Sequence, residues 1–220
     1  MIELNCGCNF SLECCEGLVA LNEKYKSSGA RISQVYGTVQ GLKGINSARP
    51  DSRVPNIDDT TFAARCNWLS EHGIKVNLTA NALEYNDVEA LLNTLRWLHS
   101  RCRGAVEWVT IANFELLTKI KELSFKEISG LRFKVELSTI CQVWMPSQIR
   151  WLLEKTVVEK VCLDIYSNRD ALLLATLKSY GMHDKVELLV NEFCIVDGVP
   201  CPFRQNCYLM HSKNTHPGPA

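Results

Sequence analysis

The stretch Val106-Glu107-Trp108-Val109-Thr110-Ile111, continued by Ala112-Asn113 and then by Phe114-Glu115-Leu116-Leu117-Thr118-Lys119-Ile120-Lys121-Glu122-Leu123, decides the fold. Its first six residues are β-branched or aromatic at most positions and read as a strand. Asn113 carries a side-chain oxygen suited to capping a helix, and from Phe114 the apolar residues recur at helical spacing. A strand, a cap and a helix in immediate succession form one βα unit.

The same unit recurs in both directions. Strands are expected at Ile2 to Leu4, Ile32 to Tyr36, Val76 to Thr79, Val106 to Ile111, Phe133 to Leu137, Val161 to Ile165 and Val186 to Val190, about 25 to 30 residues apart from the third onward. Helices are expected at Glu16 to Tyr25, Asp58 to Glu71, Val88 to Arg101, Phe114 to Leu123, Met145 to Glu154 and Asp170 to Tyr180. Pro146 suits a first helical turn, and Ser167 or Asn168 can cap the last helix. Gly73, Gly104 and Gly181 each follow a helical run and precede a strand, the position of a left-handed C-terminal cap.

Alternation of this regularity, with β-branched runs that read as buried on both faces, predicts a parallel sheet. No glycine-rich phosphate loop follows the first strand, so an α/β, TIM-like (β/α) barrel is favoured over a doubly wound sheet. It is incomplete or open, with about seven strands, because the residues after Ser212 run Lys-Asn-Thr-His-Pro-Gly-Pro-Ala and cannot form an eighth. Either the barrel is open or the chain is a portion of a longer protein. Residues 1–212 are expected to form a single barrel domain and 213–220 a tail.

Composition bounds the function. A chain of 220 residues, 46% hydrophobic and 22% charged, suits one globular domain with its own core. Its net charge of zero gives no support for wholesale attraction to nucleic acid or to an anionic membrane. The cysteines number 11, an odd count, and the chain begins Met-Ile-Glu-Leu with neither a basic nor an apolar leader. This argues for a cytoplasmic, reducing setting rather than a secreted disulfide scaffold. The longest apolar runs, such as 171–177, fall well short of the roughly 20 residues that span a bilayer, and no membrane association is expected.

The expected strand ends carry Tyr36, Asn81, Asn113, Ser138 with Thr139, Asp164 with Asn168, and Asn191 with Glu192, which a barrel gathers at one mouth. The one long irregular segment, Thr38 to Asn56, brings Lys43, Arg49 and Arg53 to that mouth. Behind the last strand lie Cys194, Cys201 and Cys207, separated by six and five residues. These intervals are too wide for zinc knuckles and suit a loop wrapped around an iron–sulfur cluster, with zinc as the alternative. Cys6 and Cys8 sit where a fourth thiolate could come from, beside Cys14 and Cys15, whereas Cys66, Cys102, Cys141 and Cys162 read as small buried apolar residues. Arg49 and Arg204 each offer a planar fork for carboxylate or phosphate, and Tyr36 and Asn81 complete a candidate substrate site. Asn191 and Glu192 are the candidate catalytic residues. Neither H-E-x-x-H nor G-x-S-x-G occurs.

Taken in order, Val35-Tyr36-Gly37, Ala48-Arg49-Pro50, His72 to Asn77 with Asn81, Val135 to Thr139, Leu163-Asp164, and Leu189-Val190-Asn191-Glu192-Phe193-Cys194 through Cys201-Pro202-Phe203-Arg204 and Cys207-Tyr208 resemble the peptidase U32 family. The resemblance implies a TIM-barrel-like fold and a peptidase label. It also implies a four-iron cluster on cysteines and oxygen-independent hydroxylation, in ubiquinone biosynthesis or on RNA bases, with prephenate as oxygen donor in the RNA cases. A related protein as hetero-oligomeric partner belongs to the same expectation. Cys201 and Cys207 match two cluster ligands of those relatives at an interval one residue shorter, and Cys194 is an added thiol.

Three functions are therefore expected in order of preference. The first is an iron–sulfur oxidoreductase of hydroxylase type acting on a small aromatic molecule or an RNA base. The second is a peptidase with Glu192 as general base and Cys194 as nucleophile. The third is a non-catalytic partner that holds a cluster or zinc for a larger assembly.

Overall fold

Two alternating sets of side chains along each strand set the architecture. In the computed structural model, residues 1–49, 53–83, 88–102, 104–124, 133–165, 167, 170–189, 195–196 and 199–200 are described. They form β1 (Ile2–Gly7), α1 (Leu12–Lys24), β2 (Ala30–Gly37), α2 (Asp59–Glu71), β3 (Lys75–Ala80), α3 (Val88–Arg101), β4 (Val106–Ile111), α4 (Phe114–Ser124), β5 (Lys134–Leu137), α5 (Pro146–Lys155), β6 (Val158–Cys162), α6 (Ala171–Ser179) and β7 (Val186–Glu187). The seven strands pair in chain order, every pair parallel. The result is an open, incomplete (β/α) barrel. A separate antiparallel hairpin, β8 (Ile195–Val196) with β9 (Val199–Pro200), follows.

One set of strand residues, including Val35, Val76, Leu78, Val109, Ile111, Val135, Leu137 and Val161, belongs to the main apolar core. Leu69, Leu91, Leu98, Leu116, Ile149 and Leu173 of the surrounding helices pack into the same core, so the hydrophobic layer lies between sheet and helices. The alternate set is polar. Gln34, Asn77, Thr110 and Glu136 are all buried, and three of them hydrogen-bond to one another. The central strands β3 to β5 are thus largely buried on both faces, as expected, and the face toward the lumen is in addition chemically polar.

Local signals explain most boundaries. Asn113 caps α4 by accepting the Leu116 N–H at 2.8 Å, and its own amide holds the Leu83 carbonyl at 2.7 Å. Pro146 opens α5, and Gly73, Gly104 and Gly181 take φ of +76°, +78° and +67° after their helices. Three expectations shift. The last helix is capped by Asp170, which accepts the Leu173 N–H at 2.9 Å, and not by Ser167; Asn168 lies outside the described residues. Helix α1 begins at Leu12, capped by Ser11. Strand β6 runs from Val158 to Cys162 rather than from Val161 to Ile165, because Lys160 faces the lumen, where the Glu187 carboxylate and the Trp108 ring receive its ammonium.

Candidate functional site

A cavity of about 660 Å³ opens at the C-terminal ends of the strands. Its floor is the polar lumen. Thr110 Oγ1 lies 2.8 Å from Asn77 Oδ1 and 3.2 Å from Glu136 Oε1, and Asn77 Nδ2 donates to Glu136 Oε2 at 3.3 Å. A hydroxyl carries one hydrogen, so it cannot donate to both oxygens. A protonated Glu136 resolves this: its O–H donates to Thr110, Thr110 donates to Asn77, and Asn77 returns a bond to Glu136. Burial, first, and the nearby Glu187 carboxylate push the Glu136 carboxyl up to about 8 against the opposing pull of Lys160, Thr110 and Asn77. The geometry and the electrostatics agree on a carboxylic acid that is neutral at pH 7.

Above this floor stand Asn5, Thr38 and Thr79, each contributing to the lining. Asn5 Oδ1, Thr38 Oγ1 and Thr79 Oγ1 are buried and have no hydrogen-bond partner among the described residues. Buried polar atoms left in this state are costly, on the order of 1–3 kcal/mol each, and three of them on one cavity wall mark a surface built to meet a polar guest.

The rim comes from the β2–α2 loop. Gln40 and Gly41 bond to the carbonyls of Pro55 and Ile57, which ties the two ends of the loop together. Gly44, at φ +72°, approaches α3 so closely that a Cβ would lie 2.4 Å from the Leu91 nitrogen. Within this frame the Asn81 side chain accepts the Ala48 N–H at 3.0 Å and donates to Ser138 Oγ at 3.4 Å. Asn81 therefore fixes the segment Ser47-Ala48-Arg49 over the cavity. Arg49 and Arg53 both line it, and among the described residues neither is in an ion pair. Tyr36 lines the same cavity; burial raises its phenol pKa, with the Arg49 guanidinium acting the other way.

The structure brings together Tyr36, Arg49 and Asn81 of the sequence-based candidates. Asn191, Glu192, Cys194, Cys201, Arg204 and Cys207 lie outside the described residues, as does the tail. Asn113 is a cap and not a lining residue. Missing from those candidates are Asn5, Thr110, Glu136 and Glu187. The signal for them is present in the sequence as a hydrophilic residue within a strand, most plainly Thr110 and Glu136 among the apolar residues of β4 and β5. Cys66, Cys102 and Cys162 are buried, as expected. Among the described residues no group of three or more His, Cys, Asp or Glu is disposed to hold a metal ion.

No family model and no curated protein matches the sequence. Among solved structures, the U32 peptidase Mk0906 superposes with a TM-score of 0.64 at 14% identity, over 98% of this chain and 77% of that one. The chain has the fold of a U32 peptidase. At that identity the relationship is one of architecture. In this U32-like barrel, as in parallel barrels generally, the site occupies the end where the strands finish. No helix among the described residues is long and apolar enough to cross a membrane.

Proposed function

We propose that the chain is an iron–sulfur oxidoreductase of hydroxylase type, acting on a small carboxylate-bearing or aromatic molecule held in the barrel cavity. The observation that carries this reading is the cavity itself. Its volume of about 660 Å³ matches sites that enclose small molecules rather than clefts that take extended polypeptide. The cavity has two guanidinium groups at its rim, unpartnered oxygens on its wall and a neutral carboxylic acid at its floor. Leu189, which lines the same cavity, stands two residues before Asn191 and three before Glu192, at the head of the cysteine segment.

The donor set suits a cluster in kind. Cys194, Cys201 and Cys207 would hold it, and Cys194 and Cys201 are the chain neighbours of Ile195 and Pro200, which pair at the base of the β8–β9 hairpin. Bound there, the cluster supplies one-electron chemistry. The remaining work falls to the barrel. Arg49 and Arg53 clamp a substrate carboxylate, Tyr36 packs against its body, and Asn5 and Thr79 take its polar groups. Glu136 holds a proton at Oε1 for delivery into the cavity, and the apolar layer behind the lumen excludes bulk water.

Anaerobic reconstitution with iron and sulfide tests this reading. Stoichiometric iron and a visible absorbance that bleaches on reduction are expected, and both are lost in Cys194→Ser, Cys201→Ser and Cys207→Ser. A colourless, iron-free protein after reconstitution overturns it. The name of the structural neighbour favours peptide hydrolysis as a second reading. None of His72, His99 or His183 lines the cavity, so that chemistry would rest on Glu192 and Cys194. Cleavage of a peptide library, abolished by Cys194→Ser, would establish it.

A further inference from the structure

Apart from the cysteine segment, two thiols meet in the cavity wall. Cys8 Sγ and Cys14 Sγ lie 3.7 Å apart, and both residues line the cavity. Cys14 is half-buried, while Cys8 is 7% exposed. The turn between them is held firmly. Phe10 takes φ +56°, is fully buried and packs edge-on against Phe62 with ring centroids 4.7 Å apart; its N–H donates to Cys8 Sγ at 3.3 Å. The Cys8 N–H is fixed by the Tyr36 carbonyl at 2.9 Å, and Cys14 is fixed by its N–H bond to the capping Ser11 hydroxyl at 3.1 Å. Among the described residues Cys66 and Cys102 are also in hydrogen-bond contact, but both are buried in the core and neither lines the cavity. Cys15 also touches Cys8, yet it is fully buried and does not line this cavity.

We propose that Cys8 and Cys14 form a thiol–disulfide exchange pair for low-molecular-weight disulfides that carry carboxylates. The accessible Cys14 takes the mixed disulfide and the buried Cys8 resolves it. Arg49 and Arg53, lining the same cavity, supply the carboxylate recognition. The Cys14 thiolate attacks one sulfur of the bound disulfide, forming a Cys14–S–S–R bond and expelling one RS⁻. That thiolate takes the Cys8 proton. Cys8 Sγ then attacks Cys14 Sγ, closing from 3.7 Å to a bond of about 2.05 Å and expelling the second RS⁻, which takes up the proton that Cys14 gave to solvent. In sum two protein thiols and RSSR give one protein disulfide and two RSH, and two electrons pass from the pair to the small molecule. The hydrogen bond to Cys15 and burial hold Cys8 above the ordinary thiol range, so it waits as S–H until a departing thiolate collects its proton.

The test is to expose the reduced, full-length chain to oxidised glutathione and map the cysteines by differential alkylation and mass spectrometry. A Cys8–Cys14 linked peptide is expected in the wild type, and a persistent glutathione adduct on Cys14 in Cys8→Ser. In Cys14→Ser, modification at this site falls by about tenfold or more. The uncharged bis(2-hydroxyethyl) disulfide should react several-fold more slowly than oxidised glutathione. A Cys8–Cys15 link, a Cys14 adduct equally persistent in wild type and Cys8→Ser, or equal rates for the two disulfides overturns the proposal. Should Cys8→Ser fail to fold, the wild-type map decides alone. The map reports named cysteines whether or not Cys194, Cys201 and Cys207 hold iron, so this proposal and the cluster reading fail separately.

Discussion

Asn5 of the first strand donates through Nδ2 to Glu187 Oε1 of the seventh at 3.1 Å, although no ladder hydrogen bonds join these two strands. A side-chain bond between described residues thus spans the seam of the open barrel. Glu187 is also 3.7 Å from Lys160 Nζ, so the seam contact is tied into the lumen. In a double-mutant cycle, Asn5→Ala and Glu187→Ala should couple by about 1 kcal/mol in denaturant unfolding. Strictly additive effects would mean that the seam is held by something else.

Glu136 makes stability depend on pH in the direction opposite to most carboxylates. Held above its ordinary 4.5 in the folded chain, it keeps a proton that the unfolded chain releases. Its stabilising contribution is full below 4.5 and is lost as pH climbs to about 8. Glu136→Gln keeps a donor toward Thr110 and removes the titration. Across that window the variant should gain on wild type by an amount on the order of a few kcal/mol. Parallel stability curves for the two proteins would show Glu136 to be ionised.

Gly37 meets the Cys8 turn so closely that an added Cβ would lie 2.4 Å from the Cys8 carbonyl oxygen and 2.9 Å from the Phe10 ring. Gly37→Ala should destabilise by about 1–3 kcal/mol and lower Tm accordingly. The same substitution should slow formation of the Cys8–Cys14 link, since it displaces the backbone that aims Cys8. An unchanged Tm would mean that the turn yields freely.

How much of this was legible in the sequence depends on which force sets each feature. Strand β4 and helix α3 match the expected residues at both ends, because the strand run and the helical period are both clear there. Strand β6 was displaced because Lys160 looks foreign to a buried strand until Glu187 and Trp108 are seen around it. Arg49, Tyr36 and Asn81 were reachable from the rule that barrel sites lie at strand ends, and they do line the cavity. Glu136 was not, since its role depends on Asn77 and Thr110, which stand 59 and 26 residues away in sequence.

The start of α6 offers a test of the cap assignment. Asp170→Ala removes the acceptor for the Leu173 N–H and should cost about 1 kcal/mol. Ser167→Ala should cost nothing or stabilise slightly, because the Ser167 hydroxyl is buried without a hydrogen-bond partner among the described residues. Thermal melts of the two variants, ranked in the reverse order, would return the cap to Ser167.

The polar lumen and the apolar annulus outside it divide the labour of the chain between two sets of positions that alternate along the same strands. Val109 and Leu137 belong to the apolar core and Thr110 and Glu136 to the polar lumen, though each pair is adjacent in sequence. Such interleaving lets a lineage rewrite its reaction while its shell stays put. An architecture shared with Mk0906 at 14% identity asks only that the shell positions stay apolar, which makes shape the conservative part of such a barrel and the lumen the negotiable one.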